Sequence, residues 1–73
     1  MDNKNLIDAR GLSCPEPAML AREAILEAKK GTVVVLVDST TSRNNVTRTA
    51  QMNGWTVTTE DEPDGSFRIT LTK

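Results

Sequence analysis

The sequence predicts an α/β fold of βαβαββ order, with both helices on one face of a single sheet. Three observations carry that expectation. A run of helical periodicity from Pro15 to Lys30 follows a short apolar stretch at Leu6-Ile7. Thr32 to Val37 is almost continuously apolar and β-branched, and the chain from Trp55 onward splits into two alternating segments around Pro63-Asp64-Gly65. Two helices and four strands pack most economically as one layer on another.

Taken in order, Asn5-Leu6-Ile7-Asp8 reads as a brief strand, and Gly11 suits a turn that needs positive φ. Ala18, Ala21, Ala24, Ile25 and Ala28 then recur at helical spacing with Leu20 beside them, while Arg22, Glu23, Glu27 and Lys29 fall mostly opposite. Proline is tolerated only in the first helical turn, so Pro15 and Pro17 suit positions N1 and N3, which makes Cys14 the N-cap. Lys29 and Lys30 suit the negative end of the helix dipole, and Gly31 suits the C′ position. The apolar run Thr32 to Val37 fits a strand with a neighbour on each side, hence the middle of the sheet. Asp38-Ser39-Thr40-Thr41-Ser42 offers several N-caps for a second helix whose buried side is Val46, Thr49, Ala50 and Asn53, closed by Gly54. Its threonines and asparagines are poor helix formers, so it must depend on tertiary packing. Trp55, Val57 and Thr59 alternate with polar residues, as do Phe67, Ile69 and Leu71; Trp55 and Phe67 read as core and Glu60 to Glu62 as a solvated loop. The two strands form a hairpin unless another strand inserts itself.

Length and composition bound the function. Seventy-three residues make one small domain, 1–73, and 37% hydrophobic with 26% charged residues is the balance of an ordinary soluble protein. No apolar run approaches the ~18 residues of a membrane span, and the first residues carry no signal-peptide pattern. One cysteine allows no internal disulfide, so a reducing cytoplasm is the expected location. With no histidine and one cysteine, a thiolate or imidazole zinc site and any Cys-His or Ser-His-Asp arrangement are excluded. No Gly-rich phosphate loop is present. The net charge of −1, with only Trp55 and Phe67 able to stack on bases, argues against nucleic acid as a partner. Four of the ten acids sit at Glu60, Asp61, Glu62 and Asp64, which leaves nine bases against six acids elsewhere and a weakly basic remainder.

Cys14 is the chemically distinctive residue. An N-cap cysteine faces the positive end of the helix dipole and amides with no intrahelical partner, an environment that favours thiolate over thiol. The prolines delete two of those amides, so Glu16 N–H is the first expected partner of the sulfur and Ala18 N–H the second. A helix terminus supplies roughly 0.3–2 kcal/mol toward lowering a thiol pKa of ~8.5. The Glu16 carboxylate would oppose that effect, and Arg10 or Arg43 would add to it if either lies near. Internal dithiol exchange is excluded because the residue three after Cys14 is Pro17, not a resolving cysteine. The plain alternative is a small buried hydrophobe, the commonest fate of a free cysteine. Asp8 and Arg10 form either a structural pair or the border of the sulfur site. Arg43 and Arg48 form either a partner-docking surface on the second helix or a solvated face.

Asp8-Ala9-Arg10-Gly11-Leu12-Ser13-Cys14-Pro15-Glu16-Pro17, then Gly31 opening a strand that ends in Val37-Asp38, then Arg43, Asn45, Val46 and Arg48, resembles the TusA/SirA family of small sulfur carriers. The resemblance runs from Leu6 to Lys73, and the second half is similar to the N-terminal domain of the YedF-like branch, which context links to selenium metabolism. Ser39 stands where TusA proper often has proline. The resemblance implies a two-layer α/β sandwich with a mixed four-stranded sheet of order 1-2-4-3, the last strand lying between the second and third. It also implies that Cys14 accepts sulfane sulfur as a persulfide from a donor such as a cysteine desulfurase and relays it to a downstream acceptor protein. Such a relay needs partner enzymes but no metal or cofactor of its own. A non-catalytic interaction or regulatory module of the same fold, or a selenium-related carrier, are the alternative expectations.

Overall fold

The computed structural model describes residues 6–13 and 16–73. Its elements are β1 (Leu6–Asp8), α1 (Glu16–Ala28), β2 (Thr32–Val37), α2 (Thr40–Met52), β3 (Thr56–Asp61) and β4 (Phe67–Thr72). The expected βαβαββ order is the observed one. Asn5 and the N-cap and N1 positions assigned to Cys14 and Pro15 lie outside the described residues.

The strands form one mixed sheet of order β1-β2-β4-β3. β1 runs parallel to β2, with Leu6 opposite Val34 and Asp8 opposite Leu36. β4 pairs antiparallel with β2 on one side (Val35 opposite Ile69) and with β3 on the other (Thr59 opposite Ile69). β3 and β4 are thus a hairpin whose second arm has slipped between β2 and β3. β2 and β3 consequently point the same way, and α2 is the crossover that joins them across β4.

β2 has a neighbour on each side, as its continuous apolar run implied, but its faces are unequal. Val33, Val35 and Val37 are buried whereas Val34 and Leu36 are only half-buried, so the helices cover one face of the sheet and leave the other open. The covered face joins those valines to Ile69 and Leu71 of β4, Ile25 and Ala21 of α1, Val46 and Ala50 of α2, and Trp55. Ile7, Val57 and Phe67 pack at its margin. Thr59 is exposed on β3, an edge strand of the sheet.

α1 ends earlier than its composition suggests. The helix stops at Ala28, and Lys29, φ 69°, takes the left-handed conformation expected of Gly31. Gly31 serves another purpose: its N–H and C=O exchange hydrogen bonds with Lys73 at 3.0 Å each, which extends the β2–β4 ladder and fixes the chain's last residue. Lys29 and Lys30 therefore lie past the helix rather than in its last turn. At the end of α2, Gly54 does take a positive φ of 83° and donates to the Gln51 carbonyl at 3.0 Å.

α2, despite its composition, buries a clean stripe of Ser42, Val46 and Ala50. Of the N-cap candidates, Ser39 fills the role: its backbone is extended and its Oγ accepts from Ser42 N–H at 3.1 Å. Because this helix has little intrinsic propensity, Ser39→Ala should cost about 0.5–2 kcal/mol in a urea titration. A loss well below that range would show that the packed stripe alone sets the start of α2. The acidic run is not a loop either: Glu60 and Asp61 finish β3, and Glu62 pairs with Arg68 at 3.1 Å.

Candidate functional site

Parallel pairing of β1 with β2 brings the carboxyl ends of both strands to one end of the sheet, and each is followed there by a helix N-terminus. The β3–β4 turn joins them, because Asp61 lies opposite Phe67 and Phe67 opposite Val37. Five segments converge: the loop Ala9 to Ser13, the start of α1, Asp38-Ser39, the start of α2, and the turn Glu62 to Ser66. In open α/β sheets this is the end where ligands and reactive groups gather. Cys14 and Pro15, outside the described residues, fall in sequence between the loop and α1.

The loop before Cys14 is held at three points. Ala9 N–H donates to the Leu36 carbonyl at 2.8 Å and continues the β1–β2 ladder. Gly11 N–H donates to Asp38 Oδ2 at 2.8 Å, and Gly11 has φ 82°, the left-handed turn conformation expected of it. Arg10 grips Asp8 through Nε to Oδ1 and Nη2 to Oδ2, both at 2.8 Å, and reaches Asp64 Oδ2 on the β3–β4 turn at 3.4 Å. Asp64 in turn accepts from Ser66 Oγ–H at 2.6 Å and from Ser66 N–H at 3.0 Å, which shapes that turn. Four acidic or basic side chains thus tie the loop to two other parts of the sheet end.

Of the two readings of Asp8 and Arg10, a structural pair is what the geometry displays. The hydrogen bonds from the Arg10 side chain and then its backbone N–H hold the Asp8 carboxyl down at about 2, and the same pairing pushes the Arg10 guanidinium further up. Asp64 is also lowered, chiefly by the Ser66 hydroxyl and amide. The sign of the linkage follows. A depressed carboxylate favours the fold above its unfolded value of ~3.9, and that contribution disappears as pH falls toward about 2. Titrated by NMR, Asp8 should therefore turn over near 2 in the wild type and move back toward ~3.9 in Arg10→Gln. An unmoved midpoint would contradict the pairing.

The three arginines singled out from the sequence each have partners. Arg10 already faces two carboxylates. Arg43, at the start of α2, lies over the Phe67 ring at 4.9 Å from its centroid and bonds Asn44 Oδ1 at 3.3 Å. Arg48 donates to Asn45 Oδ1 at 2.8 Å. Five residues along a helix turn the direction by roughly 140°, so Arg43 and Arg48 do not share a face. Glu16 N–H, the first expected partner of the sulfur, donates to the Ser13 carbonyl at 2.8 Å. The reason is local: Glu16 N–H is one of the first-turn amides with no intrahelical acceptor, and the Ser13 carbonyl three residues back supplies one. Ala18 lies half-buried in the first turn and Pro17 is fully buried against the core.

Two residues of this end were not singled out for it by their sequence context. Asp38 reads as one N-cap candidate among several, yet its carboxylate holds the Gly11 amide. Asp64 reads as turn chemistry, yet it also receives Arg10. Neither role has a local signal, because each partner is brought near only by strand pairing.

A family model described as sulfurtransferase TusA matches residues 5–73. A Methanocaldococcus jannaschii protein named as a sulfur carrier is 32% identical over 68 residues, 92% of this chain and 91% of that one. The sulfur carrier protein TusA of Buchnera aphidicola subsp. Baizongia pistaciae is 49% identical over 37 residues, 51% of this chain and 46% of that one. The crystal structure of a SirA-like protein from Desulfitobacterium hafniense superposes with a TM-score of 0.88 at 33% identity, covering 92% of this chain and 93% of that one. Sequence motif, strand order and these likenesses agree: the chain belongs to the TusA family of SirA-like fold.

Proposed function

We propose that this chain is a cytoplasmic sulfur carrier that holds sulfane sulfur as a persulfide on Cys14. The observation that supports it most is a single cysteine, in Asp8-x-x-Gly11-x-x-Cys14-Pro15-x-Pro17, borne by a member of a family whose named relatives are sulfur carriers. In the loading step, the Cys14 thiolate attacks the outer sulfur of a donor persulfide, such as that of a cysteine desulfurase. A new S–S bond forms on Cys14, the donor's S–S bond breaks, and the donor leaves as thiolate. Delivery repeats the exchange with an acceptor thiolate attacking the outer sulfur, so no net oxidant is consumed and no metal or cofactor is required. The anchored loop fixes the backbone up to Ser13, while the dipole of α1, which follows Cys14 in sequence, is the support for its negative charge. With Glu16 N–H bonded to Ser13 and Arg10 bonded to Asp8, that support is modest. Turnover then depends on the reactivity of the donor persulfide more than on an unusually acidic thiol.

Intact mass after incubation with a cysteine desulfurase and cysteine should show one added sulfur on the wild type and none on Cys14→Ser. A wild type that stays unmodified by several desulfurases would remove the basis of this reading and favour a non-catalytic interaction module.

A further inference from the structure

α1 carries a second face, apolar at its flanks and acidic between them, that the core does not use. Its buried side is Pro17, Ala21 and Ile25. On the opposite side, at roughly 100° per residue, Leu26, Met19, Glu23, Glu16, Glu27 and Leu20 follow one another within roughly 120° of arc. Met19 is 55% exposed, Leu26 48% and Leu20 37%. Leu12 approaches from the anchored loop, and a groove of about 330 Å³ opens between Leu12, Glu16, Met19, Leu20 and Glu23. Single exposed apolar residues need no explanation, but several on one helix face with a groove between them mark an interaction surface. The charge on this surface has one sign. Its three ionisable residues are glutamates, and Arg22 lies at the flank, beyond Leu26. Phosphate-rich surfaces, whether nucleic acid or anionic lipid, are repelled by such a face.

We propose that this face of α1 docks a protein partner through a segment that presents apolar side chains flanked by lysine or arginine, the helix-in-groove mode of recognition. The match is by charge and by kind: apolar anchors enter between Leu12, Met19 and Leu20, and cations meet Glu16, Glu23 and Glu27. The identification of that partner as a sulfur donor or acceptor rests on the carrier reading, since Glu16 follows Cys14 by two residues. The surface itself does not depend on the sulfur.

The test uses the whole chain and a synthetic helical peptide with leucines at i, i+4 and i+7 flanked by lysines, against the same peptide with glutamates for lysines. In an amide NMR titration the lysine peptide should move Leu12, Glu16, Met19, Leu20, Glu23, Leu26 and Glu27. The glutamate peptide should bind at least about tenfold more weakly. The exposed double variants Met19→Ser/Leu20→Ser and Glu23→Lys/Glu27→Lys, checked for unchanged circular dichroism, should each lose about tenfold in affinity for the lysine peptide. Cys14→Ser should bind as the wild type does. Absence of binding, equal affinity for the two peptides, or shifts centred on Arg43 and Arg48 would overturn the proposal. A chain that binds the lysine peptide selectively but never takes up sulfur would overturn the carrier reading and leave this surface standing.

Discussion

Cys14→Ser is expected to bring delivery of labelled sulfur to an acceptor protein down to background, with the circular dichroism spectrum unchanged. A serine hydroxyl remains protonated at neutral pH and forms no stable bond to sulfane sulfur, whereas a thiol of pKa ~8.5 is already a few per cent thiolate. No second residue can substitute, because the remaining sulfurs of the chain are thioethers of methionine. The fold should survive, since the core is built by Val33, Val35, Val37, Ile25, Val46, Ile69 and Leu71. Delivery retained above background in Cys14→Ser would mean that sulfur travels by a route this chain does not provide.

Ile69→Ala should have the largest effect on stability. Ile69 is fully buried in β4, opposite Val35 on one side and Thr59 on the other, where the two halves of the sheet meet under the helices. Truncation removes its transfer energy and leaves a cavity, together about 2–5 kcal/mol. At roughly 0.05–0.15 kcal/mol per residue, a domain of this size has only about 4–11 kcal/mol in all, so the variant should be near the limit of folding. Urea denaturation gives the comparison directly, and a loss below about 1 kcal/mol would be incompatible with a rigidly packed layer at this position.

How far the fold was legible in the sequence depended on whether its cause was local. Periodicity marked both helices, Pro63-Asp64-Gly65 marked the turn, and the β-branched run Thr32 to Val37 marked the central strand. That same run does not show which of its residues face the helices, because Val34 and Leu36 are apolar on the uncovered side as Val33 and Val35 are on the covered one. The end of α1 was misplaced for a similar reason: Gly31 looks like a helix terminator, but its pairing with Lys73 lies across the whole chain and has no local trace. The candidate site divides along the same line. The motif around Cys14 and the positive-φ role of Gly11 are written in adjacent residues. Gly11 meets Asp38 only through the parallel pairing of β1 with β2, whereas Arg10 meets Asp64 and Arg43 meets Phe67 only once β4 enters between β2 and β3. The core side of α1, with Ala21 and Ile25, is legible in helical spacing, whereas Leu20, expected beside it, is exposed with Met19 and Leu26 on the other side.

The most direct measurement is peptide-level mass spectrometry on the chain after loading by a cysteine desulfurase, alkylation and proteolysis. The account predicts an alkylated persulfide on the peptide that contains Cys14 and nowhere else. Recovery of that peptide only as the alkylated thiol, under conditions where the desulfurase itself carries persulfide, would contradict it.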